Sequence, residues 1–178
     1  TLVAQGHEVF AMAPNFTQDS RAHLMQLGAT PVDCAMQRAG MNPFFDLRST
    51  LQLAQQIKKI QPDATLGFFI KPVIFGTLAA WLAGVPRRLA MVEGLGYVFT
   101  PSDDKPSFKR LLLKRLVMWL YRAAFTKAHR VVFLNPDDQH EFASAKLLPH
   151  GKTYLLGGIG VDLVQWSQQP IYAEPITF

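Results

Sequence analysis

Five places in this 178-residue sequence combine residue types that can do chemistry. Lys71-Pro72 follows the apolar Phe68-Phe69-Ile70, and a lysine there can hold an anionic group. Glu93-Gly94-Leu95-Gly96-Tyr97 joins a carboxylate, two glycines and a phenol. Glu93 can accept hydrogen bonds from hydroxyl groups or act as a base. The glycines let the backbone approach a ligand closely, and Tyr97 can stack on an apolar ring face while its hydroxyl hydrogen-bonds. In Asn135-Pro136-Asp137-Asp138, Asn135 or Asp137 suits a helix cap with Pro136 in the first turn. That leaves Asn135 or Asp138 open to a cleft role. Gly157-Gly158-Ile159-Gly160-Val161-Asp162 implies a backbone that passes close to a ligand or to a second domain. Blander readings stand beside each: a solvated lysine, a Gly-rich turn with an exposed acid, a pure helix cap and a flexible exit loop.

The fifth place is a run of cations. Lys105, Lys109, Arg110, Lys114, Arg115, Arg122, Lys127 and Arg130 occur with no acid among residues 105–130. The chain carries a net +5, so the remainder is net negative and the basicity is local. Such a segment suits an anionic partner, a phospholipid surface or a phosphorylated substrate. Helical spacing over 105–128 puts Leu112, Leu113, Leu116, Val117, Trp119, Leu120 and Ala123 on one face, enough for core packing. Arg110, Lys114, Arg115 and Arg122 fall opposite, with Leu111, Met118, Tyr121 and Phe125 among them. Cations mixed with large apolar groups predict docking on an anionic membrane surface; the alternative is contact with another part of the protein.

Several motifs fail. Gly151-Lys152-Thr153 resembles the end of a phosphate loop, but Lys146 stands where the pattern needs glycine. His140-Glu141 opens like a zinc-protease helix, but Ser144 stands where the second histidine would fall. The five histidines show no ligand spacing, and no metal site is expected. Cys34, the one cysteine, excludes an internal disulfide and fits a reducing compartment. The longest uncharged run, residues 72–86, is too short to span a bilayer, which takes ~20 residues. No signal peptide is expected from the opening residues.

The elements that must position these groups alternate. Strands are expected at 8–13, 30–34, 64–70, 89–92, 130–134 and 153–156. Helices are expected at 17–27, after a cap at Asp46, at 78–82, 105–128 and 136–147. The stripe of the second helix reads Leu47, Leu51, Ala54, Ile57. The apolar segment 64–70 has the pattern of a strand buried on both faces of a parallel sheet. Alternation at this spacing predicts right-handed βαβ crossovers and an α/β, Rossmann-like doubly wound parallel sheet. Ligands in such sheets bind beyond the carboxyl ends of the strands, where Lys71 and Glu93 are placed. Residues 1–166 read as this domain, and 167–178 as a linker opening a further domain. Residues 1–5 resemble the last turn of a helix, so a preceding strand is expected outside the sequence.

Gly6-His7-Glu8-Val9, Lys71-Pro72, Leu82-Ala83-Gly84-Val85-Pro86, Glu93 to Thr100 (EGLGYVFT), Phe133 to Asp138 (FLNPDD) and Gly158 to Asp162 (GIGVD) occur in order. Together they resemble the N-terminal, acceptor-side domain of the retaining family 4 glycosyltransferases of GT-B fold. The likeness is to bacterial enzymes that extend undecaprenyl-diphosphate-linked sugars, such as N-acetylgalactosaminyltransferases. The resemblance implies transfer of a sugar from a nucleotide sugar, as co-substrate, to a lipid-linked glycan acceptor, with no other cofactor and no metal. It implies Glu93 as the catalytic residue, positioning the attacking hydroxyl, and Lys71, Gly94, Gly96 and Tyr97 as acceptor-binding. Asn135, Asp138, Gly158, Gly160 and Asp162 would lie in the cleft or at the junction with the chain's own C-terminal domain. Arg110, Lys114, Arg115 and Arg122 would face the membrane, with the protein peripheral on the cytoplasmic side of the inner membrane. Many relatives carry Asn and Tyr where this chain has Val73 and Phe75, so acceptor choice can differ.

The 178 residues alone are expected to lack transferase activity, because most donor contacts belong to the C-terminal domain. Two alternatives remain: a nucleotide-sugar 2-epimerase sharing the architecture, and a basic α/β module binding nucleic acid. The second would use exposed aromatics such as Tyr121 and Phe125 among its cations; the main reading expects no nucleic acid.

Overall fold

The computed structural model describes residues 2–37, 42–94, 108–163 and 166, and no side-chain statement extends to residues 109 and 110. Gly96, Tyr97, the Arg110 side chain and the linker 167–178 therefore lie outside the described residues. A single turn of 3-10 helix, Val3–Gln5, leads into β1 (Phe10–Ala13), α1 (Gln18–Gln26) and β2 (Thr30–Asp33). Next come α2 (Pro43–Ile60), β3 (Ala64–Phe68), a π-turn (Pro72–Gly76), α3 (Thr77–Leu82) and β4 (Arg87–Val92). The last elements are α4 (Phe108–Lys127), β5 (Arg130–Phe133), α5 (Pro136–Ser144) and β6 (Thr153–Leu155).

Every strand pair is parallel, in a two-stranded sheet β1-β2 and a four-stranded sheet β3-β4-β5-β6. The α/β parallel architecture expected from the alternation is present, but split between β1 and β3. The two halves are joined through helices. Leu53, Ala54 and Ile57 of α2 pack with Ala79 and Ala80 of α3 and with Val85, and Met12 of β1 rests against the same cluster. A larger core unites β4, β5, α4, α5 and the π-turn, centred on Tyr121, Phe125, Phe133 and Phe142. Its rings lie 5.1–5.7 Å apart, in tilted and edge-on pairs, the arrangement that the ring quadrupoles favour.

Register assigns the faces of the larger sheet. Gly67, Ala90, Val131 and Thr153 are cross-strand partners and point one way, as do Val92 and Phe133. Ala90, Val92, Val131 and Phe133 are buried in the larger core, under the helices. The alternate row, Phe68, Met91, Val132 and Tyr154, points the other way, and Phe68 and Tyr154 are exposed. This corrects the reading of residues 64–70. The strand stops at Phe68, only its helix-side face is covered, and Leu66, Phe68, Phe69 and Ile70 are exposed.

The second helix also departs from expectation. Its cap is Asn42, whose side chain accepts from Phe45 N at 3.2 Å, with Pro43 in the first turn. Asp46 lies one turn inside and is buried. Leu47 and Leu51 of the expected stripe are exposed, and the buried face carries Asp46, Ser49, Thr50, Leu53, Ala54 and Ile57. One contact outside the helix favours this rotation, since Asp46 binds Lys71, while the Thr50 hydroxyl is satisfied within the helix, donating to Asp46 O at 2.6 Å. A periodicity argument counts only apolar groups and misses a polar face that supplies its own partners.

Helix α4 is rotated likewise. Val117, Tyr121, Ala124 and Phe125 are buried, whereas Phe108, Leu112, Leu116 and Trp119 are exposed. Tyr121 and Phe125, assigned from sequence to the outer face, are 2% and 0% exposed. The aromatic pair from α4 packs against Phe142 of α5 (an element whose contribution one helix's spacing cannot reveal). Burial also pushes the Tyr121 hydroxyl well above its ordinary pKa. The far end of α4 is held by cations at its carbonyl terminus. Arg88 Nε donates to Lys127 O at 2.6 Å, and Lys152 Nζ donates to Thr126 O and Ala128 O at 2.9 and 2.8 Å. Positive charge there complements the helix dipole.

Candidate functional site

The C-terminal ends of β3 and β4 form the rim where the sequence places its reactive groups. Phe68 and Met91 are register partners. Lys71 lies three residues past the first and Glu93 two past the second, on strands about 4.8 Å apart. Glu93 is half-buried and Gly94 exposed.

The chain reaches Lys71 through a tight reversal. A Cβ on Gly67 would lie 2.7 Å from Pro72 O, so only glycine lets the following turn fold back over the strand. Phe69 takes φ 66, left-handed backbone without glycine's freedom. Such a residue costs of order 1–3 kcal/mol, and strain of this kind concentrates at functional sites. The π-turn Pro72–Gly76 follows at once, itself a geometry frequent at such sites. Val73 and Ile74 anchor the turn in the larger core. Val73 is thus a core residue, and Phe75 packs against the same cluster.

Lys71 is partnered rather than free. Its Nζ lies 2.7 Å from Asp46 Oδ1, with side-chain exposures of 12% and 9%. The ammonium is therefore held between the start of α2 and the β3 rim. An incoming anion would meet a cation already oriented and partly neutralised. Sequence reasoning took Asp46 for a cap and missed this pair. The available signal was an acid four residues after Asn42, too deep for a cap.

Asn135 and Asp138 come together as one cap. Asn135 Oδ1 accepts from Asp138 N at 2.8 Å, and Asn135 Nδ2 donates to Asp138 Oδ2 at 2.8 Å. Asp138 is buried and Asp137 exposed. The reciprocal bonds account for both residues at the start of α5. Gly158, Gly160 and Asp162 lie in an exposed exit loop in which Gly157 and Gly160 take φ 83 and 73. No described atom lies within 4 Å of a Cβ built on any of its three glycines. Ile159, Val161, Leu163 and Trp166 are exposed along the same segment.

Of the cations assigned to a membrane face, Arg115 and Arg122 are exposed and Lys114 is half-buried. Arg122 also donates to Lys146 O at 3.3 Å. Among the described residues, no helix is long and apolar enough to cross a membrane.

Elsewhere, an open hollow of about 510 Å³ lies between the end of β2 and α2, lined by Asp33, Cys34, Ala35, Gln52, Gln55, Gln56 and Lys59. A second, of about 430 Å³, lies beside α5 and includes His140 and His150. Neither takes in Lys71 or Glu93. Burial raises the Cys34 pKa, with Asp33 adding to the effect, so its thiol stays protonated near neutral pH.

A parallel α/β half with polar groups gathered at one carboxyl rim is the ligand-binding arrangement of nucleotide- and sugar-handling enzymes. Residues 1–156 match the family described as a glycosyl transferase 4-like domain. The chain belongs to that family. It is 32% identical over 169 residues to a protein of Campylobacter jejuni subsp. jejuni serotype O:2, named N,N'-diacetylbacillosaminyl-diphospho-undecaprenol alpha-1,3-N-acetylgalactosaminyltransferase. The match covers 94% of this chain and 42% of that protein. The crystal structure of Acinetobacter baumannii MurG superposes with a TM-score of 0.56 at 18% identity, over 92% of this chain and 40% of that one. That superposition shows a shared fold. The chain spans about two-fifths of the length of both.

Proposed function

We propose that this domain is the acceptor-binding half of a glycosyltransferase that moves a sugar from a nucleotide sugar to a lipid-linked, undecaprenyl-diphosphate glycan. The observation that carries the proposal is the 32% identity, over 94% of the chain, to a relative whose name specifies such an acceptor. The rim supports it, because Glu93 and Lys71 leave adjacent strands on one edge.

In the reaction, the bond between the anomeric carbon and the nucleotide diphosphate breaks. A bond forms from that carbon to an acceptor hydroxyl oxygen, and the hydroxyl proton passes to an oxygen of the departing diphosphate. Glu93 accepts a hydrogen bond from that hydroxyl and aims its oxygen. Gly94, with no described atom crowding it, lets the acceptor lie against the backbone, and Gly96 and Tyr97 are assigned to acceptor binding by the family resemblance alone. Lys71, steadied by Asp46, faces the acceptor diphosphate. The donor is held by the protein's own C-terminal domain, which meets the exit loop at Gly158, Gly160 and Asp162. Its diphosphate is neutralised by backbone amides and basic side chains, without metal or a further cofactor. The site works at the cytoplasmic face of the inner membrane. The nucleic-acid alternative loses support because Tyr121 and Phe125 are buried.

The test is incorporation of label. Polypeptide carrying both halves is incubated with undecaprenyl-diphosphate-linked saccharides and a panel of nucleotide sugars. A lipid-linked product one sugar longer is expected, and Glu93→Gln is expected to lower turnover at least a hundredfold, the scale of a positioned acid–base group. Folded protein that extends no such acceptor with any donor would overturn the proposal.

A further inference from the structure

The hollow between the end of β2 and α2 is built from polar groups that the rim does not use. Gln52, Gln55, Gln56 and Lys59 line its helix side, and Asp33, Cys34 and Ala35 its strand side. At 100° per residue the four helix groups fall within about 100° of the α2 circumference, a polar stripe next to the face buried in the core. Gln56 is fixed to the strand side, because its Nε2 donates to Asp33 O at 3.0 Å. Asp33 is held in turn by Arg21, whose Nη2 lies 2.8 and 2.7 Å from the two carboxylate oxygens. Gln56 Oε1 is left over. It is the one buried side-chain nitrogen or oxygen without a hydrogen-bond partner among the described residues. Buried acceptors are almost always paired, and an unpaired one costs stability. The terminal torsion of glutamine is soft, so a slight turn of the amide presents this oxygen to the opening.

We propose that this hollow binds a saccharide, whose hydroxyls are held by the amides of Gln52, Gln55 and Gln56 and the ammonium of Lys59, with Gln56 Oε1 accepting from one of them. A primary amide offers a donor and an acceptor side by side, which matches neighbouring hydroxyls, each both donor and acceptor. The Asp33 carboxylate is already neutralised by Arg21, and Lys59 is the cation of the lining. A multiply charged anion therefore finds little to balance it. Among the described lining residues there is no aromatic ring and no large aliphatic group to take a planar base or an acyl chain. The Cys34 thiol, protonated near neutral pH, adds a weak donor rather than a charge. At about 510 Å³ the hollow is the size of a small-molecule site. The choice of a saccharide over other hydroxyl-rich molecules rests on the transferase reading. The hollow itself does not, because neither Lys71 nor Glu93 lines it. A sugar held there is anchored away from the reacting rim and takes no part in the bond exchange.

Cys34 supplies the reporter, since it is the sole cysteine of the 178 residues and lines the hollow. Its rate of modification by methyl methanethiosulfonate is measured with galactose, N-acetylgalactosamine or lactose, and with inorganic phosphate. Glycerol at matched osmolality controls for the general effect of a solute excluded from the protein surface. At least one of the sugars is expected to slow the reaction severalfold in a saturable way, whereas glycerol and phosphate leave it unchanged. Replacing two exposed amides, Gln52→Ala with Gln55→Ala, should weaken that protection at least tenfold, as the loss of two hydrogen bonds would give. Gln56→Leu should abolish it. Circular dichroism and melting serve as the folding control, and the double variant keeps the test decisive if Gln56→Leu does not fold. Protection by phosphate but by no sugar, equal protection by glycerol, no protection by any probe, or protection that survives the double variant would overturn the proposal. The measurement uses neither nucleotide sugar nor lipid-linked acceptor, so its failure and a failure of label incorporation are told apart.

Discussion

A lysine whose ammonium lies 2.7 Å from a carboxylate, both largely withdrawn from solvent, is a structural commitment as well as a chemical one. Removing one partner leaves an uncompensated charge at a site that supplies little water. Lys71→Met or Asp46→Leu alone should destabilise the domain by about 3 kcal/mol, whereas the double replacement should recover most of that loss. Urea denaturation of the three variants, analysed as a double-mutant cycle, checks this. Single losses that simply add would show that the two groups act independently. Lys71 was legible from the sequence as a rim residue, because a Lys-Pro after an apolar strand ends that strand. Its partner was not. Asp46 lies 25 residues earlier, and the pairing depends on how α2 rotates against the π-turn. Glu93 and Gly94 were legible for the same reason as Lys71, since both follow the end of a strand.

Elements were read more accurately than their faces. All six strands and the helices appear in the expected order, because alternation of apolar runs with caps is local information. Faces are settled by neighbours. In α2 a buried carboxylate paired with Lys71 goes with two leucines turned outward, and in α4 the aromatic cluster around Phe142 goes with a tryptophan turned outward. The short apolar segment after Asp63 was extended too far because nothing in its composition reveals that Phe69 reverses the chain. Caps, by contrast, are local, and the one at α5 is measurable. Asn135→Ala removes the acceptor for Asp138 N and the donor to its carboxylate. A loss of about 1–2 kcal/mol is expected, read from thermal melting. If Asn135 acts instead in a ligand cleft, melting would be unchanged while acceptor affinity fell.

At the scale of the molecule, the two apolar clusters divide the chain into parts of unequal security. The larger core holds β4, β5, α4 and α5. The β1-β2 sheet contributes half-buried and exposed positions but no buried one, and α1 has no buried residue. Native-state hydrogen exchange should show amides of Phe10–Ala13 and Thr30–Asp33 opening well before those of Arg87–Val92 and Arg130–Phe133. Uniform protection across all six strands would contradict that ranking. The same division explains why fold class was easy to read and sheet continuity was not. Hydrogen bonding between distant strands leaves no mark on the local sequence.

The break between β1 and β3 carries a practical consequence. Among the described residues, each of those strands ends its sheet with a ledge of backbone donors and acceptors that no neighbouring strand takes up, and beside β3 stands the apolar row begun by Phe68 and Met91. Such ledges recruit whatever extended peptide is at hand. Either ledge is thus a place where an extended peptide can lengthen the sheet.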